Sequence, residues 1–475
     1  MKIIKNITFV FPAWLITGFF TLANLQHPAI AAWPSDSKGN TAVCTAPSQQ
    51  GNPLIISDGA GGAIIVWEDT RNIHFDIYAQ RIDTHGNVQW TKDGIPVCTA
   101  PEKQNRPRII SNGDGGAIVT WQDIRSGIHN SDIYAQYINA DGTPRWAENG
   151  IPVCKEVNAQ SSQSIASDGA GGAIIVWQDY RTNYADLYAQ RINKNGELLW
   201  KKEGVLVCGT SGAQSAPVIV EDGTGGVIVA WLDFRKSYAD IYAQRIDGSG
   251  NVLWEKRGVP LCTALGHENL QVITGNGAEG AIVAWVDTRN GNNDIFAQQV
   301  DGNGTMHWKE NGIPVCTVSG DQNYPVIISN GAGGAILSWW DKRNGEYDIY
   351  AQHIDLAGNP LWEADGLAVC VEPGIQNNVN ITGNGAHGAI LAWNDNRTGG
   401  PTFDLYVQQI DAKGAAVWAR NGVACSTAPD TQCFPALVSD GAGGAIITWQ
   451  DGRNRDTSYW DIYAQKINEQ GFLGE

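Results

Sequence analysis

The chain has 475 residues, with 49 Asp and Glu against 32 Lys and Arg, 56 Gly and 19 Trp. A net charge of −17 excludes the basic footprint that displaces counterions from nucleic acid, and it disfavours adsorption to anionic lipid. Only 17% of the residues are charged, which excludes a disordered polar chain, and the glycine content calls for many turns.

The N-terminal segment predicts export. Lys2 and Lys5 precede an apolar run from Ile7 to Leu25, interrupted by Pro12, and Ala29-Ile30-Ala31 offers small residues for cleavage. This is the pattern of a secretory signal peptide over residues 1–31, with an uncleaved anchor as the alternative. No cysteine precedes Cys44 to carry a lipid, and no second run of about 18 apolar residues follows. The expected product is secreted or periplasmic, with no integral membrane segment after cleavage.

Residues 32–475 read as one domain of eight copies of a single unit. The string GGAIIVWEDTR around Trp67 returns at Trp121, Trp177, Trp231, Trp285, Trp339, Trp393 and Trp449, always 54 or 56 residues on. DIYAQRID from Asp76 returns in step, and so does a Trp followed by a GIPVC-like segment, as in Trp90 to Cys98. Each unit predicts four short strands: A at Pro53–Ile56, B at Ala63–Trp67, C at Ile77–Ile82, and D from Val88 past Trp90 to Cys98. Glycines in the A–B and C–D links supply tight hairpins. Strand B is apolar on both faces, so it must be covered on both sides. Radial stacking of such sheets predicts an all-β, eight-bladed β-propeller of four-stranded antiparallel blades. The last unit lacks its Trp-to-Cys segment, and the chain begins with one, Trp33 to Cys44. The ring is therefore expected to close by an N-terminal strand in the last blade.

Two polar patterns recur in every unit. The first is Asp-x-Arg: Asp69/Arg71, Asp123/Arg125, Asp179/Arg181, Asp233/Arg235, Asp287/Arg289, Asp341/Arg343, Asp395/Arg397 and Asp451/Arg453. With a further Asp opening strand C, one planar guanidinium could bridge two carboxylates and pin the B–C loop. A ring of eight anion-binding arginines is the alternative. The second is a Gln after each Cys, including Gln322 and Gln376, with Glu268 in one unit. It caps the loop backbone or faces a ligand. The Asp-Gly-Ala-Gly-Gly turns at Asp58, Asp168 and Asp440 fit tight hairpins better than calcium loops. The scattered histidines form no zinc pair, so no metal and no cofactor is expected. Eight cysteines recur one per unit as buried thiols. Cys433 has no counterpart and could bridge to Cys425.

The repeats carrying GGAII-W-x-D-x-R and DIYAQRID resemble those of a broad group of exported bacterial propeller proteins, mostly of unassigned function. More distantly, Tyr78-Ala79, Asp83, Gly86 and Trp90 are similar to the strand-to-docking-Trp segment of PQQ-type eight-bladed propellers. The anchor cysteine and adjacent cysteine pair of the characterised members are missing.

The A–B and C–D turns are nearly uniform, whereas the B–C and D–A loops differ in every unit. The B–C loops carry Phe75, Tyr184, Tyr238, Tyr347, Phe403, Tyr459 and Trp460. The D–A loops carry Arg106, His267, Gln322, Tyr324 and Gln376. This variable face is the expected binding surface. The sequence thus predicts a non-enzymatic, monomeric interaction scaffold for a protein or cell-surface glycan. A lectin-like propeller is the alternative, and a polysaccharide lyase or glycosidase follows behind.

Overall fold

The computed structural model describes residues 32–127 and 129–474. The signal peptide expected at residues 1–31 lies outside the described residues. Among these, thirty-two strands, β1 to β32 in chain order, form eight four-stranded antiparallel sheets. The first complete blade is β2 (Gln50–Ser57), β3 (Ala63–Asn72), β4 (His74–Ile82) and β5 (Ile95–Cys98), paired in that order. The first strand of each sheet packs against its counterparts in the neighbouring blades, so these strands surround the axis. No helix among the described residues is long and apolar enough to cross a membrane.

The period of two along a strand explains the packing. Ile64 and Val66 of β3 point to one side and join Ala117, Val119 and Trp121 of the second blade. Ala63, Ile65 and Trp67 point to the other side and join Ile446, Ile462 and Ala464 of the last blade. Each B strand is therefore core to two interfaces, which is why it is apolar throughout. The second Trp of each unit locks adjacent blades. Trp90 Nε1 donates to the Ala140 carbonyl at 3.1 Å, and its ring lies over Gly142, whose φ is 86°. A side chain at Gly142 would meet the indole at 2.8 Å.

Strand D is shorter than the sequence suggested. Val88 makes one isolated bridge to Ile82, and Trp90 sits in a turn before β5. Trp90 has left the ladder to reach the next blade.

The ring closes as expected. β1 (Thr41–Cys44) pairs antiparallel with β32 (Asp461–Ile467), outside β31 (Ala445–Asp451) and β30 (Gln432–Ser439). Trp33 Nε1 donates to the Thr84 carbonyl of the first blade at 3.0 Å, and Gln465 Nε2 donates to the Pro34 carbonyl at 2.7 Å. The N-terminal segment thus bridges the last blade and the first.

All nine cysteines are buried and unbridged, so the Cys425–Cys433 disulfide does not form. Cys425 lies in β29 (Val423–Ser426), the outer strand of the seventh blade, whereas Cys433 lies in β30, the inner strand of the eighth. Cys425 is also not the eighth repeat thiol. Ser426 pairs with Leu405 where Cys370 pairs with Ile349, so Ser426 holds the repeat position. Burial pushes thiols such as Cys44 and Cys98 up to about 12, which leaves them unreactive.

Candidate functional site at the channel mouth

The Asp-x-Arg units form one repeated device. Arg71 Nε and Nη2 donate to the two Asp69 oxygens at 2.9 and 2.6 Å. Nη2 also reaches the Asp93 carbonyl and Cys44 Sγ, and the guanidinium stacks 3.9 Å from the Tyr78 ring centroid. The same bidentate pair recurs at Asp123/Arg125, Asp179/Arg181, Asp233/Arg235, Asp287/Arg289, Asp341/Arg343, Asp395/Arg397 and Asp451/Arg453. The expected bridge to the strand C carboxylate is absent. Asn72 donates to Asp76 at 2.8 Å instead, and Ser126 and Thr182 do the same for Asp132 and Asp186. Burial holds Asp76 above the usual carboxylate range, against the lowering by Asn72. Each such arginine is engaged by the Asp and a carbonyl of its own blade, and Arg71 and Arg125 also reach the cysteine of the preceding blade.

Several residues expected on the variable face take other places. Gln322 and Gln376 are fully buried. Gln322 Nε2 donates to the Gly320 carbonyl at 2.9 Å, inside its own loop, so neither glutamine can touch a ligand. Tyr184, Tyr238 and Tyr459 are exposed, and Tyr238 meets His267 edge-on at 4.8 Å. Phe75 is half-buried under Lys103 at 4.9 Å, and Phe403 is also half-buried. Trp460 follows the single-turn helix α1 (Arg455–Ser458) and lies against it under Arg455 at 5.1 Å. Apart from Tyr459 and Trp460, which share the last blade, these aromatic side chains are dispersed over separate blades. Tyr347 alone joins a cluster, through Trp340 at 6.0 Å.

That cluster belongs to a cavity of which the sequence pointed only to Arg106 and Tyr324. Every innermost strand breaks register two residues after its first residue, as between Gly51 and Leu54. The bulged residues are Asn52, Arg106, Ser162, Ala216, Leu270, Tyr324, Asn378 and Phe434, all with φ between 50° and 56°. A non-glycine residue there is strained, by about 1 kcal/mol or more. None of the eight is Gly, although Gly would relieve the strain. Proline follows five of them, Pro53, Pro107, Pro217, Pro325 and Pro435, because a bulge needs no ladder N–H at that point.

Six of these bulges line one cavity of about 550 Å³ at the channel mouth, on the face of the B–C and D–A loops. On one side stand Arg106 and Arg108. Opposite, on the fifth and sixth blades, stand Leu270 and Tyr324, whose ring is tilted 4.1 Å from Trp340, and Phe434 stands between the two sides on the eighth blade. Tyr324 and Phe434 are each half exposed. Trp340 Nε1 is a buried donor with no protein acceptor among the described residues.

The residue after each strand B Trp decides how the next bulge is held. Glu68 accepts from the Arg106 N–H at 2.6 Å and from Asn52 Nδ2 at 3.0 Å. Gln178 and Gln450 accept from the Ala216 and Asn52 N–H groups. Leu232, Val286 and Trp340, which precede the next three bulges, offer no acceptor. The mouth is thus hydrogen-bonded and charged on one side, apolar and aromatic on the other. Desolvation and the neighbouring Arg106 both pull the Arg108 pKa down, against the opposing effect of Glu68. Neither arginine has an ion-pair partner within 4.0 Å among the described residues.

One blade departs from the Gln pattern. Glu268 is buried, accepts from Cys262 Sγ at 3.5 Å, and lies beside Asp287. Burial and the Asp287 charge push it up to about 8. Arg289 already donates to both Cys262 and Asp287, which fills the place a cation would take.

No family model matches the sequence, and no curated protein does. The resemblance to exported repeats and PQQ-type propellers therefore extends no further than the propeller. Among solved structures the chain is similar to prolyl oligopeptidase B from Galerina marginata (TM-score 0.48, 11% identity, 88% of this chain and 56% of that one). It is also similar to a puromycin-hydrolyzing peptidase of Mycobacterium tuberculosis (0.45, 11%, 88% and 61%). A third is the NanB sialidase of Streptococcus pneumoniae (0.40, 9%, 86% and 84%). The chain spans less than two thirds of the length of the two peptidases. With peptidases and a sialidase among its neighbours, the expectation of a non-enzymatic scaffold is corrected: the propeller gives no ground for excluding catalysis.

Proposed function

We propose that the protein binds a small organic carboxylate with an aromatic body in the channel mouth. One observation carries this reading: two arginines without ion-pair partners and two half-exposed aromatic rings line a single cavity of about 550 Å³. Such a volume suits one small molecule. The guanidiniums of Arg106 and Arg108 supply the fork that takes a carboxylate in two parallel hydrogen bonds. Tyr324 and Phe434 supply apolar area for the ring, and Trp340 Nε1 is a donor available to a ligand that reorders the wall. Retained strain at the eight bulges supports the same assignment, since strained backbone concentrates at ligand clamps.

Titration calorimetry with benzoate and with benzyl alcohol tests it. Benzoate binding to the parent protein, lost by at least tenfold in Arg106→Ala and Arg108→Ala and absent for benzyl alcohol, is expected. Equal binding of both compounds, or benzoate binding insensitive to both substitutions, overturns the proposal.

A further inference from the structure

The outer strand of each blade is an edge, and edges invite pairing with other chains unless they are blocked. Four blades block it with proline. Pro96, Pro152, Pro260 and Pro314 sit opposite Tyr78, Tyr134, Tyr242 and Phe296 in one common register. Proline has no N–H, and all four keep their pairing beside a register shift on the partner strand, so at this position the backbone N–H is directed out of the sheet. The third blade differs. Its outer strand β13 (Val205–Cys208) places Leu206 opposite Tyr188 of β12 (Asp186–Ile192) in that same register. Leu206 restores an outward N–H on the edge and is 45% exposed.

The surroundings of this edge are also distinct. A cleft of about 780 Å³ lies between β13 and the fourth blade, lined by Trp200, Leu206, Lys256 and Arg257 among others. Leu199 and Leu253 are exposed beside it, with Lys201 and Lys202 on the preceding turn. Glu203 and Glu255 oppose these four cations, leaving the edge locally basic on a chain of net charge −17. The sixth, seventh and eighth blades also lack the proline, having Ala368, Ala424 and Ala42, and the turn of the sixth carries Glu363 and Asp365. Among these four unblocked edges, the third alone presents a leucine at that position and carries two lysines on its turn.

We propose that β13 is a docking edge for an extended acidic segment of a partner protein, added as a fifth strand to the third blade. Main-chain hydrogen bonds to the edge would hold the strand, apolar side chains would enter the cleft beside Trp200, and acidic ones would meet Lys201, Lys202, Lys256 and Arg257. This edge lies on the outer rim, apart from the channel, and the proposal is independent of the carboxylate site.

The test uses a fluorescein-labelled ten-residue peptide of alternating Glu and Val, read by anisotropy against the parent protein and Leu206→Pro. That substitution installs the residue four other blades carry, so the fold tolerates it. Binding that weakens at least tenfold in L206P, falls with added salt, and is absent for the Lys-Val peptide is expected. Hydrogen exchange gives the second measurement, with protection of the Leu206 amide expected on peptide binding. Equal binding by L206P, or peptide binding without that protection, overturns the proposal. So does concentration-dependent dimerisation abolished by L206P, which would assign the edge to a second copy. A sulfated polysaccharide that binds L206P and parent alike while the peptide fails to bind would also overturn it, leaving a charge patch.

Discussion

Glu68 of the first blade accepts a hydrogen bond at 2.6 Å from the backbone N–H of Arg106 in the second. One carboxylate thereby holds a strained bulge in place and partly offsets the charge of the arginine pair beside it. These two roles separate by substitution. Glu68→Gln keeps an acceptor and removes the charge, so benzoate affinity should rise several-fold with stability nearly unchanged. Glu68→Ala strands the part-buried N–H and should lower stability by about 1–2 kcal/mol in urea unfolding. Weaker benzoate binding by E68Q would show that Glu68 contributes to the site through its charge.

The Asp-x-Arg pairs are expected to act on stability. Asp233 is fully buried, and Arg235 meets it at 2.6 Å while also donating to the Arg257 carbonyl. Arg235→Ala leaves a buried carboxylate short of its countercharge and should cost about 2–4 kcal/mol. Arg235→Lys should restore little of it, because an ammonium cannot make the two parallel bonds. A loss below about 0.5 kcal/mol in urea unfolding would contradict this account.

Glu268 makes stability depend on pH. Its pKa is raised in the folded state from 4.5 to about 8, so the folded protein holds a proton that the unfolded chain releases. Stability from this group is full below about pH 4.5, falls as pH rises toward 8, and is level above that. Glu268→Gln removes the dependence and matches the other seven blades. Relative to the parent it should gain on the order of 5 kcal/mol between pH 4.5 and 9. A difference independent of pH would show that Glu268 is ionised throughout.

The closing strand gives a fourth expectation. Deleting residues 33–45 removes β1 and the Trp33 contact with Thr84, exposing the β32 edge. The melting temperature should fall and self-association should rise in sedimentation. No change in either would mean that the ring closes without its strap.

The fold was legible because identical residues recur wherever a blade must pack, as Trp67, Trp90 and Gly142 do. Of the proposed binding site only Arg106 and Tyr324 were, and the reasons are physical. Positive φ is usually signalled by Gly, but at Arg106, Tyr324 and Phe434 it arises from a register mismatch that the sequence does not display. Variation drew attention to long loops, where Tyr184 and Tyr459 are exposed yet isolated, while the converging variation lay inside a short strand. A signal was present: the third residue of each inner strand varies among Asn, Arg, Ser, Ala, Leu, Tyr and Phe, usually ahead of proline. The carboxylate of Asp76 suggested a bridge through Arg71, but Asn72 already serves it. Cys425 was displaced by one position because Ser426 is close enough in size to take the thiol's place beside Arg453, at 3.4 Å.

The most direct measurement is a crystal structure of the protein with 4-bromobenzoate, located by the anomalous signal of bromine. The account predicts one bromine in the channel mouth against Tyr324, Trp340 and Phe434, with the carboxylate on Arg106 and Arg108. Bromine found only elsewhere, with the mouth empty at saturating ligand, would contradict it.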